Sequence, residues 1–471
     1  MMLSLAVLVV MLLSGCSLHQ PAKVELPVDV PPAYLENQST DVPGLPVDQW
    51  WLAFNDEHLD LLMDELFAHN LDLTQAIARL EQVEASFRIT RSAQSPSLSA
   101  GGSVSRSKQP GLIDDYIGDN YQLSLAAGFE LDLWGKLAAL SRAASQELVA
   151  SQQDVQTLYL GLSARLADLY FLAVEQRSQL VLTDQVIASF SDTAARVENR
   201  YRRGLVPAVD MYQARQNLAA AKAARPVFAA RLAEAEHAIG VLLGRYPERL
   251  SGDNPIQVPA APVLFAVGIP AGLVSQRPDL QAALQRVAAA DARVAAAIAD
   301  RFPSINLSGN YGTLRQEVAA GLIKGEFWSL LGNLALPVID GGRRRAEVDR
   351  KEAALRETVA AYQQKVLSAF QEVEDALVNN YASAQRIDLL AETARATGAS
   401  LRLSTDRYLA GLDDYLPVLT AQRVDADTRS RLIAAQRQLL ADRISLARAL
   451  GGGWMQDQMN ARVQIEKDKH Q

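Results

Sequence analysis

Residues that disulfides and metal sites require are scarce in this chain of 471 amino acids. It contains one cysteine, which excludes a disulfide framework and a thiolate zinc cluster. Its 46 Lys and Arg are outnumbered by 54 Asp and Glu, and the net charge of −8 argues against a nucleic-acid partner, because phosphate binding needs clustered cations. The histidines, which lack the spacing of metal ligands, are His19, His58, His69, His237 and His470. We therefore expect no metal and no cofactor.

The sequence motifs of common enzyme classes are missing as well. There is no nucleophile elbow, no phosphate-binding glycine loop and no cluster of His, Asp and Glu at ligand spacing. We predict that the protein is not an enzyme. What the chain does have is a 49% share of apolar residues, which supplies a core and excludes a disordered protein.

The N-terminus carries an apolar segment at residues 3–13, which has the length of a signal-peptide core and is too short to span a bilayer as a helix. It ends in Leu13-Ser14-Gly15-Cys16, which resembles the bacterial lipobox. We predict a lipoprotein signal peptide at 1–15 and lipidation of Cys16. Ser17 follows instead of Asp, so the resemblance implies sorting to the outer membrane of a Gram-negative bacterium. The alternative is an ordinary signal peptide that contains a cysteine.

The second half of the chain repeats the first at a constant offset. Pro96 and Pro303 stand 207 positions apart, and the same offset pairs further residues without an insertion over some 170 positions. These pairs are Leu73 and Leu280, Arg79 and Arg286, Gly102 and Gly309, Gly135 and Gly342, Tyr201 and Tyr408, Gly204 and Gly411, and Leu243 and Leu450. The conserved order at one spacing indicates a structural duplication, so both halves should fold in the same way.

Each half contains two segments in which apolar and polar residues alternate, as in a strand with one apolar face. The alternation is clearest from Tyr121 to Leu131 and onwards from Ser304. Each segment has about the ~9–11 residues that a tilted strand needs to cross a bilayer, although a soluble antiparallel sheet stays possible. The predicted strands are 97–107, 121–131, 304–313 and 327–336, with loops at 111–120 and 313–326.

Two long helices are predicted at about 136–200 and 343–408, because each stretch lacks proline and keeps a 3/4 apolar spacing. At 1.5 Å per residue each could extend ~100 Å. Glycines follow both helices as C-terminal stops, and prolines then open the returning helices. These residues are Gly204, Gly411, Pro207 and Pro417. Pro226 is expected to kink the first returning helix.

Four bilayer-length strands cannot form a closed barrel, since the smallest single-chain barrels have about eight strands. Open sheet edges are not tolerated in lipid, because each unpaired backbone group costs several kcal/mol there. Other copies of the chain must therefore complete the sheet. Two copies would give eight strands with a filled interior, and three would give twelve strands with room for a pore.

Taken together, these features resemble those of the TolC-like outer-membrane efflux channels, in the lipoprotein branch of the OprM/NodT type. The resemblance covers nearly everything after Cys16. Any one of the matching strings is weak, but together they are specific because they occur in order within a duplicated frame. They are Trp51-Leu52-Ala53-Phe54, Asn70-Leu71-Asp72-Leu73, Leu131-Asp132-Leu133-Trp134-Gly135-Lys136, Gln276-Arg277-Pro278-Asp279-Leu280, Asp340-Gly341-Gly342-Arg343 and residues 408–423.

The resemblance implies a mostly α-helical fold with a membrane β-barrel. A duplicated helix-strand-strand-helix-helix repeat would form a homotrimer with a twelve-stranded β-barrel in the outer membrane and a twelve-helix α-barrel across the periplasm. The protein would be the passive exit duct of a tripartite efflux system, with a periplasmic adaptor (membrane fusion) protein and an inner-membrane pump, usually of the resistance-nodulation-division type, as partners. The expected segments are a linker with an equatorial part at 16–56, repeats at 57–243 and 278–450, an equatorial connector at 244–277 and a tail at 451–471.

The same resemblance assigns functional residues to the helix tips. Gly204, Leu205, Gly411 and Leu412 match tip turns that meet the adaptor, although the glycines serve as turn residues in any case. Asp210 and Tyr408 match a pair that tethers the periplasmic gate by a hydrogen bond, while Leu416 and Thr420 match its narrowest positions.

The chain departs from the family at the gate. Thr420 stands where many members carry Asp, and Asp413 stands where some carry a tethering Arg. Charge at the mouth would then come from Asp413 and Asp414, or the constriction would be steric through Leu416. Both aspartates are equally suited to capping the returning helix.

Two rival functions stay open at the level of sequence. A periplasmic coiled-coil scaffold or adaptor would also use long helical hairpins, but it should lack repeated pairs of bilayer-length strands. An exit duct of a type I protein secretion system would differ from an efflux duct only in its pump, which this chain does not encode.

Overall fold

The computed structural model describes residues 19–20, 29–35, 49–109, 116–249, 256–267, 270–318, 321–452, 455 and 458–460. Cys16 and the signal peptide predicted at 1–15 lie outside the described residues. The elements, in chain order, are α1 (Glu57–His69), α2 (Leu71–Ser92), β1 (Ser97–Gln109), β2 (Tyr116–Leu131), α3 (Lys136–Arg202), α4 (Ala208–Leu242), α5 (Pro270–Gln276), α6 (Pro278–Ala299), β3 (Ser304–Val318), β4 (Gly321–Ala335), α7 (Arg343–Leu409) and α8 (Tyr415–Leu450), with a 3₁₀ helix at Trp50–Phe54 before α1.

The chain divides into two compact units, each assembled from three separate stretches. The first, which we call the sheet unit, comprises residues 1–27, 79–152 and 282–364. The second, the hairpin unit, comprises residues 28–78, 153–281 and 365–471. The long helices α3 and α7 contribute residues to both units.

The sheet unit contains one four-stranded antiparallel sheet with the strand order β1-β2-β3-β4. Paired residues of an antiparallel sheet share a face, and successive residues alternate between faces. One row of the ladder therefore places Ala100, Leu125, Tyr311 and Trp328 on the same side. The adjacent row places Ser99, Ala126, Asn310 and Ser329 on the other side. The sheet has one largely apolar and one largely polar face, in agreement with the alternation in the sequence.

The strands extend beyond the predicted limits at one end of the sheet. β2 begins at Tyr116 and β3 continues to Val318, while β4 begins at Gly321, so the predicted loops at 111–120 and 313–326 are wrong in large part. Arg315 pairs with Lys324 within this extension. Backbone hydrogen bonds continue the ladder there although the side chains no longer alternate between apolar and polar, which is why the sequence pattern ended too early.

The hairpin unit contains the two chain reversals α3–α4 and α7–α8. α4 stays helical through Pro226. The largest buried side chains include Trp50, Tyr159 and Phe171, and aromatic contacts extend from the 3₁₀ helix to α1 and α3. The hydroxyl of Tyr170 donates a hydrogen bond of 2.7 Å to Asp56, which also caps α1. These contacts fix the start of the first repeat on α3.

In both repeats an equivalent hydrogen bond joins a residue near the start of the repeat to one near its end. We call this contact the base clamp. In the first repeat, the side-chain amide of Asn70 donates to the carbonyl of Leu242 at 2.7 Å. In the second repeat, Arg277 Nη1 donates to the carbonyl of Ala449 at 3.1 Å. These positions are related by the offset of 207, so the sequence duplication extends to a contact between residues 172 positions apart.

A glycine stands two residues beyond each clamp carbonyl. Gly244 and Gly451 have φ of 74° and 84°, a conformation that favours glycine. A Cβ atom at Gly244 would lie 2.7 Å from the carbonyl oxygen of His69, and one at Gly451 would lie 3.0 Å from that of Gln276. Both glycines therefore allow a close backbone approach at the base of each repeat.

Candidate functional site

The two helical hairpins reverse through the same backbone motif. Gly204 and Gly411 have φ of 75° and 73°. Gly204 N donates to Tyr201 O at 2.8 Å and Leu205 N to Arg200 O at 3.0 Å, and the corresponding bonds after α7 run from Gly411 N to Tyr408 O and from Leu412 N to Arg407 O. These paired bonds define a Schellman C-cap, which satisfies carbonyls that the helix end leaves free.

The adaptor-contact residues predicted from the sequence are thus turn residues of the two tips. A Cβ atom at Gly204 or Gly411 would meet nothing within 4 Å, so these glycines are required by conformation and not by crowding. Leu205 and Leu412 follow them with 63% and 68% of their surface exposed. Each tip therefore presents one large apolar side chain to its surroundings.

A small apolar cluster, the tip cluster, joins the two hairpins just behind their turns. Its buried members are Ala194, Val197, Met211, Ala214, Tyr408, Tyr415 and Val418. At its centre the rings of Tyr408 and Tyr415 lie 5.6 Å apart. Because the members come from α3, α4, α7 and α8, the cluster links the tips of both repeats.

The predicted hydrogen bond between Asp210 and Tyr408 is not formed in this structure. The Tyr408 hydroxyl is buried and has no hydrogen-bond partner among the described residues. Burial, together with the nearby charge of Asp210, raises the pKa of Tyr408, while Arg200 lowers it. Asp210 and Tyr408 are thus electrostatic neighbours in the tip cluster without the tether that the resemblance implied.

Asp210 lies in the first turn of α4 and Asp414 directly before α8. The pKa of Asp210 is raised, first by burial and then by the negative charge of Asp414. Burial and the charges of Tyr408 and Asp210 raise the pKa of Tyr415 to about 12. The tip cluster is therefore an environment that disfavours negative charge.

Asp413 and Asp414 do not cap α8 with their side chains. Asp414 occupies the N-cap position but makes no capping hydrogen bond. Asp413 accepts two hydrogen bonds from Arg407, at 2.6 and 3.0 Å, and these lower its pKa although partial desolvation acts in the opposite direction. Asp413 is thus paired within its own tip, whereas Asp414 makes no capping hydrogen bond.

Leu416 and Thr420, the predicted constriction residues, lie one turn apart on α8. Leu416 is 60% exposed, and the Thr420 hydroxyl donates to the Leu416 carbonyl at 3.0 Å. Both border a shallow groove between α7 and α8, together with Thr397, Ser400, Ser404, Pro417, Ala421 and Val424. The structure thus brings these two residues together, and neither is among the buried members of the tip cluster.

Arg200 is a tip residue that the sequence analysis missed. Its guanidinium carbon lies 4.7 Å from the centroid of the Tyr408 ring, and its Nη1 donates to the Tyr408 carbonyl at 3.0 Å. Arginine is common in the last turn of a helix, where the helix dipole favours a cation. The position of Arg200 before Gly204 therefore did not predict a contact with the second hairpin.

The sheet unit presents a second candidate surface, the apolar face of the sheet. Leu98, Val104, Leu123 and Leu330 on this face are between 65% and 76% exposed, and Trp328 is 78% exposed. Trp134 donates from Nε1 to the Pro303 carbonyl at 2.7 Å and stacks on Phe302. A soluble protein does not usually expose an apolar sheet face of this extent.

Comparison with known proteins gives one consistent result. The outer membrane efflux protein family model matches residues 62–245 and 270–452. Outer membrane protein OprJ of Pseudomonas aeruginosa is 32% identical over 86% of this chain and 86% of its own length. The solvent efflux pump outer membrane protein SrpC of Pseudomonas putida is 29% identical over 96% and 98%. The solved structure of the outer-membrane channel OprN superposes with a TM-score of 0.85, at 27% identity over 93% of this chain and 100% of that chain. The chain belongs to the outer membrane efflux protein family.

Proposed function

We propose that the protein works as a homotrimer that forms a continuous duct through the outer membrane. As a member of its family it is a passive outer-membrane efflux channel and not an enzyme. Three copies of the sheet would supply a twelve-stranded barrel, and three pairs of hairpins a twelve-helix tunnel. The observation that carries this proposal is the exposed apolar face of a sheet whose outer strands, β1 and β4, each have one unpaired edge among the described residues.

The sheet supports membrane insertion through its pattern as well as its edges. Apolar side chains from Leu131 to Leu123 cover about 26 Å along β2 at roughly 3.3 Å per residue, which suits a tilted strand in a bilayer core of about 30 Å. Beyond this band, Arg315 and Lys324 pair on the same face. Tyr311 and Trp328 pair inside the band, in the row of Leu125 near its charged end, and aromatic residues are enriched near bilayer interfaces.

The family implies two partners, a periplasmic adaptor and an inner-membrane pump. For this chain we assign the adaptor contact to the tips, at Gly204, Leu205, Gly411 and Leu412, and the pump to the resistance-nodulation-division type. Exposed leucines at both turns support the first assignment, because an isolated apolar side chain at a rigid turn suits a helix–helix contact. Lipidation of Cys16 would anchor the duct in the outer membrane with its helices in the periplasm.

The gate of this duct would comprise Asp210, Tyr408, Leu416 and Thr420. Exposure of Leu416 beside Thr420, without a carboxylate at either position, supports a constriction that is mainly steric. Asp414 would contribute negative charge nearby, since Asp413 is paired with Arg407. Asp210 and Tyr408 would act through the tip cluster that holds the two hairpins together.

Electrical recordings test the duct directly. The full-length protein, extracted from outer membranes in detergent, should migrate as a heat-modifiable trimer and give discrete conductance steps in planar lipid bilayers. Leu416→Ala should raise the single-channel conductance, because it removes the side chain at the narrowest point. Leu389→Ala is the matched control, since Leu389 is 65% exposed on α7 and outside the proposed gate. A soluble monomer without conductance would instead favour the periplasmic scaffold.

Two further measurements address the partners and the anchor. A photoreactive amino acid at Leu205 or Leu412 should cross-link, in cells, to a protein that mass spectrometry identifies as a membrane fusion protein, whereas the same label at Leu389 should not. Cys16→Ser should abolish incorporation of labelled palmitate and leave the conductance of the purified trimer unchanged. Palmitate incorporation into the Cys16→Ser protein would contradict the assignment of the lipid site.

A further inference from the structure

The two tips contain a pair of equivalent arginines with different partners. Arg200 and Arg407 are related by the offset of 207, and each stands four residues before the glycine of its Schellman turn. Arg407 pairs with Asp413, six residues away in its own turn. Arg200 contacts Tyr408, 208 residues away in the other hairpin. The same position thus closes a local turn in one repeat and crosses between repeats in the other.

Arg200 enters the C-cap of α7 in two ways at once. Its Nη1 donates to the carbonyl oxygen of Tyr408, which also accepts the turn hydrogen bond from Gly411 N. This carbonyl belongs to the last turn of α7, where the helix dipole favours a cation. The guanidinium also lies over the Tyr408 ring at 4.7 Å, within the distance at which a cation is attracted by an aromatic face.

The environment of this contact strengthens it. Tyr408 is buried, packs on Tyr415 and belongs to the tip cluster. Arg200 Nε is buried without a hydrogen-bond partner among the described residues, so the guanidinium is partly desolvated. Cation–π attraction grows as water is excluded, whereas the exposed pair of Arg407 with Asp413 is screened by solvent.

We propose that Arg200 is a positioning residue of the gate, a latch that holds the tip of the second hairpin against the first through the ring and carbonyl of Tyr408. It touches no transported compound and acts through the position of α8, which carries Leu416 and Thr420. The role in gating rests on the proposed function, while the latch itself is a property of the hairpin unit. The Tyr408 hydroxyl takes no part, because it forms no hydrogen bond.

Single-channel recording of assembled trimers tests the latch. In Arg200→Ala the open fraction should rise about tenfold, as expected when a desolvated cation–π contact and a charged hydrogen bond are both lost. Arg200→Lys keeps the charge and should restore part of the closed fraction. The matched control Arg407→Ala should leave the open fraction at the wild-type value, because Arg407 pairs only within its own turn. A residue that only aids folding would lower trimer yield without changing the open fraction of the channels that assemble.

Amide hydrogen exchange separates the latch from the duct. In detergent-purified protein, Arg200→Ala should speed exchange in peptides covering 405–420 about tenfold and Arg407→Ala should affect only its own turn. Faster exchange together with a wild-type protein that forms no channel would retain the latch and overturn the proposed function. Unchanged exchange and an unchanged open fraction in Arg200→Ala would overturn the latch. The proposed function would still stand in that case if the wild-type protein conducts. An open fraction raised by Tyr408→Phe as much as by Arg200→Ala would also overturn it, in favour of a hydroxyl tether.

Discussion

The two repeats share their backbone at the tips and at the base but differ in the side chains that use it. Both tips have the same Schellman turn, yet Tyr201 is 40% exposed and its counterpart Tyr408 only 3%. Both bases have the same clamp, but the donor is the neutral Asn70 in one and the charged Arg277 in the other. The two repeats therefore share their backbone geometry, whereas at these two positions the second repeat has the buried or the charged side chain.

The base clamp of the second repeat is the more heavily bonded of the two. Arg277 also donates to Asp279 at 3.0 and 3.1 Å and to Glu372 at 2.7 Å. Burial opposes the ionisation of Asp279, but the hydrogen bonds and charge of Arg277 outweigh it and lower the pKa of Asp279. Leu35 N donates to Glu374, and the Tyr34 side chain is buried nearby, with its pKa raised to about 12 by burial and by Glu374. Tyr34 and Leu35 of the N-terminal segment therefore lie near the second clamp.

The largest effect is expected from breaking this charged clamp. Arg277→Ala should destabilise the protein by about 3–5 kcal/mol, because it leaves partly buried carboxylates without their cation. Asn70→Ala should cost about 1–3 kcal/mol, the penalty of an unsatisfied buried carbonyl. Thermal unfolding followed by circular dichroism checks this order. Equal losses in the two variants would mean that charge adds nothing to the clamp.

The next effect concerns the two equivalent tyrosines. Tyr408→Ala should destabilise the tip by about 3 kcal/mol, since it removes a buried ring from the tip cluster. Tyr201→Ala should change tip stability little, because Tyr201 is exposed and lies outside that cluster. Hydrogen exchange of the 405–420 and 195–212 peptides measures both. Similar protection in the two variants would show that the repeats do not differ at this position.

The repeat, the glycine stops and the alternating strands were all predictable, because each produces a regular spacing of residue types along the sequence. The functional contacts were not. Asn70 and Arg277 stood in motifs that carried the resemblance, but their carbonyl partners lie 172 residues away and no spacing connects them. Arg200 was missed for the same reason. The extended ends of β2, β3 and β4 were missed because apolar and polar residues no longer alternate there.

The glycines at the base and at the tips allow two costs of a substitution to be compared, the cost of steric crowding and the cost of the backbone conformation. All four have φ between 73° and 84°, and an L side chain in the left-handed helical region costs about 1–2 kcal/mol. Gly451 has ψ of −123°, outside that region, so its conformational cost is at least as large. Gly244→Ala and Gly451→Ala should cost more than this, because the added methyl group meets a backbone carbonyl. Gly204→Ala and Gly411→Ala should cost only the conformational part, because their surroundings are open. Chemical denaturation of the four variants ranks them, and a uniform cost would remove the role of close approach at the base.

The smallest effect is expected from the acid pair at the tips. Burial and Asp414 raise the pKa of Asp210, so the stability linked to this group is fully present below its unfolded pKa of about 3.9 and is lost as the pH rises through its folded pKa. At neutral pH, Asp210→Asn should therefore slow exchange in the tip peptides by a small factor, while below about pH 4 variant and wild type should converge. The other charged or titratable groups around Asp210 at the tips are Asp414, Tyr408, Tyr415 and Arg200. Asp414→Asn should have the same sign, because it removes the repulsion from the other side. Faster exchange in Asp210→Asn at neutral pH would mean that the carboxylate holds the tips together, as the hydrogen-bonded tether of the family resemblance requires.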